Sequence, residues 1–396
     1  MNPKNKNMII LIISLIVVMM GYGIAMPVLP FYIESLGGSG VHYGFLIASY
    51  GVMQLIFAPV WGSLSDKYGR KPILLAGLIG LGMAMSLFAL ANKLWLLYAA
   101  QMLSGSLSSA TLPAAQAYVG DSTTREERGG AMGKIGGAIG LGIVIGPGIG
   151  GMLASYSLAT PFWIASGFCL LTFLIILAGL PESLTKENRC EDLDICFMQF
   201  RGLWQALFTP IGLGLIVAFM AIFSQAIFSS IFGLYALTRF NYGPEQVGTI
   251  LMAMGLMYAL AQGLVVGPIT KRFGEHKVIS SALLGTTVGF ALILLANTFL
   301  TILAAVSCFI MLSSLLKPSA LAFVSKNTVG NQGKAMGITE SYMSLGRIIG
   351  PLWGGMIFDV NLYYPYLSGI LLLLIMFIAT VSKVKLEKNP EFKKNL

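Results

Sequence analysis

Apolar runs about 20 residues long, separated by short polar breaks, follow one another along almost the whole chain. Twelve can be traced: residues 8 to 30, 42 to 62, 72 to 91, 94 to 119, 131 to 154 and 161 to 180, then 208 to 236, 246 to 269, 277 to 297, 299 to 324, 335 to 358 and 362 to 382. A helix of that length matches the hydrocarbon thickness of a bilayer. The pattern predicts an all-α membrane protein with twelve transmembrane helices. The longest polar interruption divides them six and six. The expected organisation is a six-helix bundle over 1–180, a linker loop over 181–207, a second six-helix bundle over 208–382 and a tail over 383–396. Within the linker, Pro181, an acidic run (Glu191, Asp192, Asp194) and an amphipathic piece around Trp204 read as a tether lying on the membrane surface.

The two halves repeat one another. Residues 131–152 and 335–356 are identical at 11 of 22 positions, and both carry Gly-Pro-x-x-Gly-Gly. The stretch Gly62 to Arg70 has a counterpart in Gly267 to Glu275 at an offset of 205, and Pro113 corresponds to Pro318 at the same offset. Parallel repeats of a helix block are a construction found in transporters.

Composition sharpens this picture. Hydrophobic residues make up 56% of the 396 positions and charged ones only 10%, against roughly 25% charge in soluble domains. Orientation follows Lys and Arg in short loops. With a cytoplasmic N-terminus, 21 of the 25 basic residues fall on the inner side, only Lys93 and Arg239 fall outside, and Lys317 and Arg347 lie within the tenth and eleventh runs. Both termini are therefore expected in the cytoplasm of a multi-pass protein of a bacterial plasma membrane. The net charge of +9 then faces anionic lipid headgroups and does not imply nucleic-acid binding. The first run is too long for a signal peptide and lacks a cleavage pattern. Cys190 and Cys196 are not spaced like zinc pairs, and His42 and His276 have no neighbours resembling metal ligands or a catalytic triad. Neither an enzyme nor an ATP-driven pump is expected, since no residue constellation or P-loop supports one.

Three stretches resemble the major facilitator superfamily, in particular its twelve-helix drug and proton antiporters: Gly21 to Pro30, Gly62 to Pro72, and Gly142-x3-Gly146-Pro147-x2-Gly150-Gly151. The resemblance implies the major facilitator fold, a monomer, and proton-coupled efflux of drugs of the tetracycline or multidrug type, with the proton as coupling ion and no other cofactor. It also implies that Gly62, Asp66, Gly69, Arg70 and Lys71 form a conformational latch that uses Asp121 as a further partner. Read physically, Gly62 and Gly69 would permit a tight turn, and Asp66, Arg70 and Lys71 would form ion pairs at a helix junction. In the second copy Lys271 stands for Asp66 and Glu275 for Arg70, so any latch there must be built differently. The stripe Gly142, Gly146 and Gly150 lets another helix approach closely, and Pro147 makes a bend point, which suits an interface between moving halves. The family associates Gly146, Pro147, Gly150 and Gly151 with export.

A charge at mid-membrane costs at least about 2.5 to 3.5 kcal/mol unless it is compensated. Three such residues occur, all in the second half: Lys317, Glu340 and Arg347. Glu340 is the candidate proton carrier, since desolvation favours its neutral form and a neighbouring cation its ionised one. The alternative is a structural ion pair. The arginine that the family carries in helix four aligns with Gln101, and the stretches that hold an acid in multidrug relatives offer only Ser14, Gln225 and Ser229. The cavity is then neutral to positive, favouring anionic, zwitterionic or metal-chelating substrates over lipophilic cations. Gln54, Gln101, Gln225, Tyr50, Tyr258, Tyr342, Lys317 and Arg347 are candidates to line it. Export of an endogenous anionic metabolite, uptake by symport, and a receptor on a transporter fold are the competing readings.

Overall fold

In hydrocarbon every backbone N–H and C=O must be satisfied internally, so a chain this apolar folds as helices. A computed structural model describes residues 3–124, 127–184, 189, 200–328 and 332–388, and among them every regular element is helical. Cys190, Cys196, the acidic run at 191–194 and the tail lysines Lys393 and Lys394 lie outside the described residues.

The helices of the first half are α1 (Pro3–Ser35), α2 (Gly40–Tyr68), α3 (Arg70–Ala89), α4 (Leu94–Leu107), α5 (Thr111–Ser122), α6 (Arg128–Ala154) and α7 (Thr160–Gly179). The amphipathic piece around Trp204 is the short α8 (Phe200–Ala206). There follow α9 (Gly212–Phe240), α10 (Pro244–Leu260), α11 (Val266–Phe273), α12 (Glu275–Leu295), α13 (Phe299–Ser313), α14 (Leu316–Asn327), α15 (Gln332–Phe358) and α16 (Tyr364–Lys388). Ten of the described helical stretches are long and apolar enough to cross a membrane. The other two runs depart from that standard for readable reasons. The fourth is divided into α4 and α5 by a 3-10 turn at Ser108–Ala110. The eleventh, α15, carries Lys334, Glu340 and Arg347, which lower its hydropathy.

By contact the chain forms two units, Met1–Phe197 with Ala236–Gly255, and Met198–Tyr235 with Leu256–Leu396. The division passes through α9 and α10, so the hairpin joining them goes with the first unit.

Inside the first unit the glycine stripe of α6 lies on α1. A methyl group built on Gly146 would sit 2.7 Å from the carbonyl oxygen of Met20 and 2.8 Å from the Cα of Gly23. One built on Gly142 would sit 2.7 Å from the carbonyl oxygen of Ile16, and one on Gly150 would strike the backbone of Ile24. The expected close approach exists, and its partner is the first helix of the same unit. The other face of α6 meets α10: Gly151 lies against Pro244 and Gly248, and Gly148 against Met252. In the second unit α15 repeats the first arrangement on α9. Gly346 approaches the backbone of Phe219 and Phe223, and Gly350 the backbone of Phe223 and Ile227 and the Cβ of Ala226.

Backbone atoms cannot move aside as a flexible side chain can. Gly146→Val is therefore expected to destabilise the protein by about 3 kcal/mol or to prevent folding. Gly137→Ala, where an added Cβ meets nothing within 4 Å, should leave thermal unfolding in detergent unchanged or slightly raised. Equal losses at both positions would contradict the packing described.

Candidate functional site

Gly69 has φ +110°, a conformation that side-chain-bearing residues rarely adopt, and its N–H donates to the carbonyl of Ser65 at 3.1 Å. The turn lets α3 begin immediately at Arg70. Gly62, expected to share in this turn, instead lies within α2 with open space around it, so Gly69 makes the turn alone.

The Arg70 side chain is only 9% exposed. Its Nε donates to Asp121 Oδ2 at 2.9 Å, while Nη1 donates to Asp66 Oδ1 and, at 3.1 Å, to Ser65 Oγ. A planar fork with several donors suits such multiple acceptance better than a lysine would. One further acid joins this centre. Glu182 accepts from the backbone N–H of Arg70 at 2.8 Å and of Lys71 at 3.2 Å, and its Oε1 also accepts from Ser183 and Leu184. Gly69 has no side chain with which to cap α3. Glu182 supplies the missing acceptor from a distant segment and sets a negative charge at the positive end of the helix. Lys71 Nζ reaches across to the carbonyl of Leu177 at 2.9 Å. Glu182 went unrecognised in the sequence because it follows Pro181 at the start of a polar stretch that reads as a tether.

The second copy inverts the arrangement. Gly274 has φ +77°, α12 begins at Glu275, and Lys326 Nζ lies 2.6 Å from Glu275 Oε1. At the offset of 205, Glu275 stands for Arg70 and Lys326 for Asp121. The ion pair is thus kept with both signs reversed.

On α15, Arg347 Nη2 lies 3.8 Å from Glu340 Oε1, with side chains 38% and 58% exposed. Seven residues of helix separate them by about 10 Å along the axis, which two long side chains span. Lys317, half-buried in the first turn of α14, has no carboxylate within 4.0 Å among the described residues. Pro318 cannot donate to the carbonyl of Ser314, and Gln262 Nε2 donates to that carbonyl instead, at 3.1 Å. Gln262 itself lies in a π-helical turn, Ala261–Val265, of the kind that recurs at functional sites. Gln225 Nε2 donates to Ser313 Oγ at 3.3 Å. Together they form a polar collar around the break between α13 and α14.

Tyr258 is half-buried one turn before that collar. The Tyr342 hydroxyl donates to the carbonyl of Leu203 at 3.0 Å and fastens α8 to α15. In the first unit Gln101 is buried on α4, Gln54 is half-buried on α2, and the Tyr50 ring lies 5.6 Å from that of Tyr22. Gly105 brings α4 against the backbone of Tyr50. The cavity candidates therefore form two groups, one in each unit.

The family model described as Major Facilitator Superfamily matches residues 11–211 and 214–395. The chain is 31% identical over 372 residues to multidrug resistance protein 2 of Bacillus subtilis (strain 168), covering 92% of each. It is 34% identical over 364 residues to the class D tetracycline resistance protein of Salmonella ordonez, covering 90% of each. Among solved structures, the nucleoside transporter NupG superposes with a TM-score of 0.82 at 13% identity, over 95% of this chain and 99% of that one.

Replacing Glu182 by Gln removes the charge at the start of α3 and is expected to cost about 1 kcal/mol, seen as a lower unfolding temperature in detergent. Ser183→Ala, which loses only a 3.3 Å hydrogen bond to Asp121, should cost less. The reverse ranking would contradict the capping role.

Proposed function

Because the chain belongs to the major facilitator superfamily, with relatives that are membrane transporters, we propose that it is a proton-driven exporter of small organic molecules. The favoured substrates are drugs, tetracycline-like or other amphiphilic antimicrobials. This substrate class rests on the similarity to tetracycline and multidrug resistance proteins. The observation that carries the coupling mechanism is the Glu340–Arg347 pair on α15, an exposed acid and a half-buried base only loosely joined at 3.8 Å.

In this reading a proton arriving at Glu340 cancels its charge and releases Arg347. A substrate bearing an anionic or metal-chelating group engages Arg347, with Lys317 as a second cation on the neighbouring α14. Substrate and the Glu340 carboxylate then compete for one guanidinium, so loading of substrate and loading of proton favour different states. Arg70 with Asp66, Asp121 and Glu182 latches one conformation of the first unit, and Glu275 with Lys326 is its inverted counterpart in the second. One proton crossing ~100 mV supplies ~2.3 kcal/mol, enough for roughly fiftyfold accumulation. Twelve membrane crossings, cytoplasmic termini and a monomer complete the proposal. An exporter of an endogenous anionic metabolite, a carboxylate siderophore or an organic acid, is the second reading. The absence of an acidic partner for Lys317 among the described residues favours it.

Everted vesicles with an imposed pH gradient separate these readings when supplied in turn with tetracycline-like, cationic and polycarboxylate compounds. Gradient-driven uptake of the tetracycline-like compound is expected, reduced roughly tenfold or more in Glu340→Gln while substrate binding is retained. Unaltered coupling in that variant would remove Glu340 from the proton path. Lipophilic cations as the best substrates would overturn the assignment of a neutral-to-positive cavity.

A further inference from the structure

In the first unit Lys71 Nζ bonds to the carbonyl of Leu177 and ties α3 to α7. The repeat identifies the matching place in the second unit. His276 corresponds to Lys71 at an offset of 205; Pro161 and Pro365 correspond at 204, which sets Val381 at the place of Leu177. There the tie is replaced by a crevice. His276 and Val381 both line a cavity of 590 Å³ that is walled further by Ile269 and Phe273 of α11, by Leu312 of α13 and by Leu315 in the turn before α14. That volume falls within the usual range for small-molecule sites, roughly 300 to 1,000 Å³. Phe273 is 51% exposed, so the crevice reaches the surface.

One lysine lines it, and two further cations precede Phe273 on α11. Lys277 lines the cavity and is exposed, and Lys271 and Arg272 are exposed in the last turn of α11. The acid closest in sequence, Glu275, is already held by Lys326 at 2.6 Å and does not neutralise Lys277. An apolar crevice between membrane helices, lined by a lysine with no carboxylate within 4.0 Å among the described residues, matches a molecule of two parts, an acyl chain and an anionic head.

We infer that this crevice is a binding site for one anionic phospholipid, with an acyl chain among Phe273, Leu312, Leu315 and Val381 and the headgroup at Lys277. The second copy has thereby exchanged a structural tie for a lipid.

The test is native mass spectrometry of the purified full chain in detergent, titrated with phosphatidylglycerol and phosphatidylcholine of the same acyl chains. The first lipid should be retained as a single adduct, about fivefold or more tighter than the second. Lys277→Gln should lower phosphatidylglycerol affinity about fivefold and leave phosphatidylcholine unchanged. Ser281→Trp, which fills the crevice without altering charge, should abolish retention of both lipids while thermal unfolding of the lipid-free protein is preserved. Equal retention of the two lipids by the parent protein, or unchanged lipid retention in both variants, would overturn the inference. So would displacement of phosphatidylglycerol by millimolar inorganic phosphate, which marks a simple anion site. Lipid binding that appears only after truncation beyond Lys388 would make the tail the occupant and refute it as well.

Discussion

Backbone laid directly on backbone is the constraint from which the rest of the architecture follows. Only glycine at 142, 146 and 150 allows α6 to reach α1, and only glycine at 346 and 350 allows α15 to reach α9. Within lipid there is no hydrophobic drive between helices, so such close contact is what selects neighbours. The stripe also dictates what the other faces can do. Gly136 lies off it with nothing within 4 Å, and its counterpart in the second copy is Glu340, 58% exposed. Charge was thus acquired on a face that packing had left vacant, without disturbing the contact that holds the helix.

The same logic of a fixed frame and free decoration appears at the helix junctions. Arg70–Asp121 and Glu275–Lys326 occupy equivalent positions with opposite signs, so the geometry demands an ion pair but is indifferent to its polarity. The two differ in strength. Arg70 is nearly buried and holds two carboxylates and a hydroxyl, whereas Lys326 is 67% exposed and its pair is screened by solvent. Exposed pairs are worth roughly 0 to 1 kcal/mol. The first unit thus holds the firmer junction of the two.

Much of this is readable in the sequence because it is local or repeated. Apolar run length reveals the helices, the offset of 204 to 205 reveals the duplication, Gly69 and Arg70 stand out by residue type and spacing, and Asp121 is singled out by the family resemblance. What escapes is what depends on a distant segment folding back. Glu182 acts as a cap only because the chain after α7 returns to the start of α3, and no periodicity encodes that. Gly62 resembles a turn glycine until the helix is seen to continue through it. Tyr342 reads as a polar residue within a span, and no pattern in the sequence encodes its bond to Leu203. Lys326 becomes informative only when the repeat is extended from helix to loop and its sign is allowed to change.

The central claim is that substrate and proton move in opposite directions through one protein. Proteoliposomes containing a trapped pH indicator test it most directly when a gradient of a tetracycline-like substrate is imposed with no initial pH difference. Antiport predicts that substrate moving down its gradient drives protons the other way, with a pH change that is lost in Glu340→Gln. Substrate flux in the parent protein with no accompanying proton movement would contradict the account.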